Sequence, residues 1–132
     1  MDSWISCEDF CIHAFGCLLS RFPVHLPRLD RWAQAGNRWL RRAAAVVLTY
    51  SVRRKVQVQT AFHLADLLLT DTDDLVQKGY GWLLKETSNA EPRQVFDYVM
   101  QNKAAVPRTA LRYAIEKLPL AWRKRAMSKP EG

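Results

Sequence analysis

Three side chains in this sequence have the types and neighbours that chemistry asks for. Arg42 stands in Asn-Arg-Trp-Leu-Arg-Arg-Ala-Ala-Ala-Val-Val (37–47), and residues 37–55 hold six basic residues and no acid. At about 100° per residue, Arg41 lies opposite the apolar stripe and is expected in solvent. Arg42 falls at the edge of that stripe, close to Val46. A guanidinium anchored there suits a fixed phosphate contact, because its fork matches two phosphate oxygens. A snorkelling arginine on a solvated face fits the same pattern. Trp82 stands in Leu-Val-Gln-Lys-Gly-Tyr-Gly-Trp-Leu-Leu-Lys-Glu (75–86). Leu75, Val76, Gly79 and Leu83 define the buried face, and Trp82 sits at its margin beside Lys78 and Lys85. Gly79 and Gly81 each cost about 1 kcal/mol relative to Ala inside a helix. Close approach of a neighbouring helix, or of a ligand backbone, would justify them; a core tryptophan among packing glycines fits as well. Asp9 stands in Trp-Ile-Ser-Cys-Glu-Asp-Phe-Cys-Ile-His (4–13), next to Ile5 and Gly16 and one turn from His13. It reads either as a paired helix acid or as a carboxylate that meets developing positive charge.

Other chemistries find less support. Cys7, Cys11 and His13 share one helix but offer no fourth zinc ligand at a familiar spacing, so no metal is implied. No phosphate-binding Walker loop, dinucleotide glycine fingerprint or nucleophile elbow occurs, and no small-molecule cofactor is called for. His25 and His63 have no catalytic partner visible in the sequence. Cys7, Cys11 and Cys17 are odd in number and crowd one segment, which argues against a disulfide framework and for a reducing cytoplasm. The first ten residues lack the basic and apolar regions of a signal peptide. No stretch is apolar enough to span a bilayer.

The elements that must position these side chains are all helical. Residues 3–21 read as one helix, with Trp4, Cys11, Phe15 and Leu18 at helical spacing, ended by Phe22-Pro23. A short helix over about 27–34 stops at Ala35-Gly36. Asn37 caps a helix from Arg38 to about Arg53, with an apolar face of Trp39, Leu40, Ala43, Val46, Val47 and Tyr50. Further helices are expected over about Val56–Leu69 and Asp74–Thr87, the latter broken by Ser88-Asn89-Ala90. Pro92 opens one to about Lys103 and Pro107 another to Lys117. Pro119 interrupts before a basic tail, Trp122-Arg-Lys-Arg-Ala-Met-Ser-Lys, which offers a loose nucleic-acid contact. Helical pairs recur about every 35 to 40 residues, the rhythm of an α-solenoid in which each pair buries its apolar face on its neighbours. A compact helical bundle has the same composition. Residues 1–128 are expected to form one helical repeat domain, and 129–132 a disordered tail.

The balance of 20 Lys+Arg against 13 Asp+Glu, net +7, favours a polyanionic partner. Five tryptophans are unusual aromatic mass for this length. Some of that mass is expected to face a ligand.

These segments, in this order, resemble the AlkD-like DNA alkylation repair family, whose fold is a right-handed superhelix of HEAT-like helical pairs. Asn37-Arg-Trp-Leu-Arg-Arg-Ala-Ala looks like the family block whose phosphate-facing arginine falls on Arg42. Val76-Gln-Lys-Gly-Tyr-Gly-Trp-Leu-Leu-Lys-Glu86 looks like its most recognisable block, with an aromatic site residue on Trp82. Trp4-Ile-Ser-Cys-Glu-Asp9 is similar to the family's tryptophan-plus-aspartate helix, with the catalytic carboxylate on Asp9. Pro107-Arg-Thr-Ala-Leu-Arg-Tyr-Ala-Ile-Glu-Lys-Leu118 is also family-like. Ile5 occupies the place one turn before the aspartate, where the family usually has tryptophan; Trp4 is one residue further off. The family fold is considerably longer, and the resemblance falls on its C-terminal part.

The resemblance implies a DNA glycosylase acting on N3- or N7-alkylated purines in duplex DNA. Asp9, Trp82 and Arg42 would form the catalytic set. Trp4, Arg38, Arg42, Lys78, Arg108 and Arg112 would contact DNA. An apolar face on the first helix would also favour self-association. A non-catalytic HEAT-like nucleic-acid-binding module and a protein-interaction solenoid are the competing readings.

Overall fold

The computed structural model describes residues 26–128, and among them every regular element is a helix. α1 (Pro27–Ala33) begins with proline in its first turn, where the missing N–H costs nothing. Asn37 then turns the chain into α2 (Arg38–Val46) by accepting from the backbone N–H of Trp39 and Leu40 at 2.8 and 3.3 Å.

The helix expected to run from Arg38 to Arg53 is two helices. α2 stops at Val46, and α3 covers Thr49–Arg53. The Thr49 hydroxyl donates to the Val46 carbonyl at 2.7 Å, and the Leu48 N–H turns to Ala45 instead of continuing the regular ladder. A hydroxyl that competes for backbone groups, set among β-branched residues, loosens a helix at this point. Trp39 and Leu40, expected on the buried face, are exposed; the packed residues are Ala44, Ala45, Val46, Val47 and Leu48.

Lys55 and Gln57 adopt left-handed backbone conformations, with φ of 63° and 60°, and swing the chain into α4 (Val58–Leu68). Asp73 caps α5 (Asp74–Ala90) by accepting from Leu75 and Val76. The expected break at Ser88-Asn89-Ala90 does not occur. Thr87 and Ser88 fold their hydroxyls back onto the Leu83 and Lys85 carbonyls, at 2.7 and 2.6 Å. Their polar groups are satisfied within the helix, which runs on until Pro92 starts α6 (Pro92–Gln101). α7 (Arg108–Ala114) is shorter than expected. The basic tail is a helix, α8 (Leu120–Met127). Trp122 stacks on Phe96 of α6, with ring centroids 4.8 Å apart, and Lys103 donates to the Arg125 carbonyl near the helix end.

The helices stack in two rows. α2 and α7 flank α5 to form an inner row, with α3 also against α5. α1, α4, α6 and α8 follow one another in an outer row, α1 beside α4 and α6 beside α8. Between α4 and α6, Phe62 meets Tyr98 at 5.2 Å. This is an α-solenoid of helical pairs: α1 with α2, α4 with α5, α6 with α7. Hydrogen bonds from one pair to the next span 30 to 35 residues of sequence. That spacing is slightly shorter than the expected period of 35 to 40 residues.

The core lies between the rows. Leu64, Leu68, Val76, Tyr80, Leu83, Leu84, Val95 and Val99 are almost entirely hidden from solvent. Each such aliphatic side chain contributes about 1.5–3 kcal/mol by leaving water. Tyr80 donates its hydroxyl to the Leu69 carbonyl at 2.8 Å, and burial pushes its pKa well above the ordinary tyrosine value.

A candidate nucleic-acid interface on the inner row

Gly79 and Gly81 explain how the inner row is drawn together. A Cβ on Gly79 would lie 3.2 Å from Cγ of Arg42, and one on Gly81 would lie 2.9 Å from the Ala110 carbonyl oxygen. The two glycines admit α2 on one side of α5 and α7 on the other. Close helix approach is therefore what offsets their helix penalty.

The stem of Arg42 crosses Gly79, and its guanidinium donates to the Leu75 carbonyl at 2.7 Å. Arg42 is thus half-buried at the seam between α2 and α5, as its position at the edge of the apolar stripe suggested. Arg41 is the correction. Expected in solvent, it pairs with Asp71 at 2.7 Å and donates to the Ala35 and Gly36 carbonyls. The far side of α2 faces the connections to its neighbours, which a wheel drawn on one helix cannot show.

Arg42, Leu75, Lys78, Trp82, Lys85 and Tyr113 line one concavity of about 310 Å³. A second one shares Lys78 and Tyr113 and is completed by Thr109, Arg112 and Glu116. Lys78 and Tyr113 border both. Lys78 is held by Asp74 one turn earlier, at 3.0 Å, and that hydrogen bond raises its pKa. Lys85 pairs with Glu116, in the turn after α7, at 3.0 Å.

Trp82 is fixed from behind. Its indole N–H donates to Glu86 at 3.2 Å, and the Arg53 guanidinium lies 5.6 Å from its ring centre. Glu86 also takes Arg53 at 3.2 Å, Asn89 at 3.1 Å and Lys117 at 3.8 Å.

Of the residues singled out from sequence, the fold brings Arg42, Lys78 and Trp82 to one concavity and Arg112 to the next. Arg38 is at the mouth of α2, 3.5 Å from Asp73 and stacked on Trp39. Arg108 reaches the Met127 carbonyl, 3.4 Å away at the end of α8. Neither Arg38 nor Arg108 lines these concavities. Trp4 and Asp9 lie outside the described residues, as do the three cysteines, His25 and residues 129–132. Tyr113, Arg53 and Glu86 were not anticipated. Glu86 was legible in principle, since it follows Trp82 by one helical turn. Arg53 and Tyr113 arrive from other helical pairs and had no local signal.

Lysine and arginine side chains around two aromatic rings offer the groups that phosphates meet on cations and that a base or sugar meets on rings. Among the described residues no helix is long and apolar enough to cross a membrane. The family model described as DNA alkylation repair enzyme matches residues 1–118. No curated protein sequence matches the chain.

Proposed function

The chain belongs to the DNA alkylation repair enzyme family, and on that premise we propose that it is a glycosylase for N3- and N7-alkylated purines in duplex DNA. The observation that carries this reading is the meeting of Arg42, Lys78 and Trp82 at one concavity on the inner row. A cation held by a carbonyl at a helix seam is set to grip one backbone phosphate. An indole ring beside it attracts cationic groups by about 0.5–2 kcal/mol.

An alkylated purine of this kind already carries positive charge. When its C1′–N bond breaks, the bonding pair goes to the base, which leaves neutral and needs no general acid. The sugar becomes an oxocarbenium-like cation. In this reading Asp9 stabilises that cation by its charge and orients a water. The water oxygen adds to C1′ and passes a proton to bulk water, leaving an abasic site and a free alkylated base. One carboxylate serves where most sugar hydrolases use two. Trp82 and Trp4 hold the nucleotide, while Arg42 grips the strand beside it.

The direct experiment is release of 7-methylguanine from methylated duplex DNA. The expected result is release by the full chain, abolished in Asp9→Asn with DNA affinity retained. Binding that weakens with salt but yields no abasic sites in any variant would leave a nucleic-acid-binding module instead.

A further inference from the structure

Glu86 is the one charged side chain among the buried described residues, 9 % exposed. Burying a carboxylate is costly, and an apolar residue of similar size is usually the cheaper way to fill such a place. Here each oxygen is occupied twice. Oε1 accepts from the Trp82 indole N–H and from Arg53, both at 3.2 Å. Oε2 accepts from Asn89 at 3.1 Å and faces Lys117 at 3.8 Å. The donors come from α3, α5 and the turn after α7, so the carboxylate is held from several directions.

An indole has a single N–H donor, and otherwise its ring is turned only by packing. An acceptor pinned by other groups fixes the edge of that ring. Arg53, which helps pin the acceptor, also lies over the ring of Trp82. We infer that Glu86 is a positioning residue for Trp82, holding the indole plane at the concavity by accepting its N–H. This rests on the reading of Trp82 as the ring that holds the damaged nucleotide. The role of Glu86 is geometric: it touches no substrate, and its charge matters only as the strength of the hydrogen bond.

The test uses the full chain, labelled with 15N, and follows the Trp82 indole N–H signal, identified by its loss in Trp82→Phe. Glu86→Gln keeps an acceptor of the same shape; Glu86→Leu removes it; Arg53→Met loosens it from an exposed side chain. In Glu86→Leu the signal moves and its hydrogen exchange quickens about tenfold, and the rate of 7-methylguanine release falls about tenfold. Glu86→Gln restores the signal and most of the rate, staying within about threefold of the parent, since only the charge assistance is lost. Arg53→Met shifts the signal in the same direction by less, and reports the tether even if Glu86→Leu fails to fold. An unmoved signal in both Glu86→Leu and Arg53→Met overturns the inference. So do equal rate losses in Glu86→Gln and Glu86→Leu. A parent chain that releases no base sinks the glycosylase reading alone, because the indole signal still decides what Glu86 does.

Discussion

The outer row of helices and the inner row meet their neighbours through different chemistry. In the outer row, His63 faces Asp30 at 3.1 Å, Gln59 donates to Gln94 at 3.0 Å, and Tyr98 donates to Asp66 at 2.7 Å. Rings interleave with these bonds, Phe62 on Tyr98 and Phe96 on Trp122. In the inner row Arg42 reaches a carbonyl, Arg53 reaches a buried carboxylate, and lysines from α5 border an open concavity. Both rows obey the same repeat. The outer one also encloses a concavity, about 270 Å³ between α4 and α6, but lines it with amides, rings and Asp97, whereas the inner one borders its concavity with cations and rings. Under the function proposed above, the inner surface is the one that meets DNA, although its helices are also the most closely packed.

The largest effect that would separate the rows is on DNA affinity. Replacing Arg42, Lys78 and Arg112 together by Ala lowers duplex affinity roughly tenfold to a hundredfold, and flattens the slope of log K against log salt by about 3. Arg93→Ala on the outer row changes affinity by less than about twofold. Fluorescence anisotropy across a salt series reads both, and equal losses on the two rows would erase the distinction.

Next in size is the seam of the inner row. Gly81→Ala drives a methyl into the backbone of α7 and lowers stability by roughly 1–3 kcal/mol in urea unfolding. Gly79→Ala crowds only the flexible stem of Arg42, at 3.2 Å, and meets the Arg42 carbonyl and Val46 at ordinary contact distance, so its stability stays within about 1 kcal/mol of the parent. Its DNA affinity nevertheless falls, because Arg42 is pushed off the Leu75 carbonyl. A stable Gly79→Ala chain with unchanged affinity would show that the Arg42 anchor is immaterial to binding.

Smaller again is Tyr98→Phe on the outer row. It removes the bond to Asp66 and costs about 1 kcal/mol, with DNA affinity unchanged. The mildest effect appears only in alkali. Burial raises the pKa of Tyr80, and burial with the Asp66 bond raises that of Tyr98. A group whose folded pKa is raised gives its full stability below the unfolded value, about 10 for tyrosine. That stability is then lost as pH rises through the folded value. The melting temperature is therefore level near neutrality and declines above pH 10 or so, less steeply in Tyr80→Phe.

The sequence is most informative where a rule acts within one helix. Asn37 announces its cap, Pro92 opens its helix, and Gly79 and Gly81 announce close neighbours. It misleads where side chains satisfy the backbone themselves. Thr49 divides a helix that reads as continuous, and Thr87 and Ser88 preserve one that reads as broken. The site follows the same division. Arg42, Lys78 and Trp82 stand out by local pattern, and the fold unites them. Arg41 was misjudged and Tyr113 missed, because their surroundings come from residues some thirty positions away.

α2 and α7 both lean on α5, each seated against a glycine in the middle of that helix. α5 therefore works as an axle with a bearing on either side. A slight roll of one neighbour across its bearing alters the span between the guanidinium of Arg42 and that of Arg112. The spacing of the inner row is thus set at one rod, and a methyl group added at the Gly81 bearing acts as a wedge against the backbone of α7.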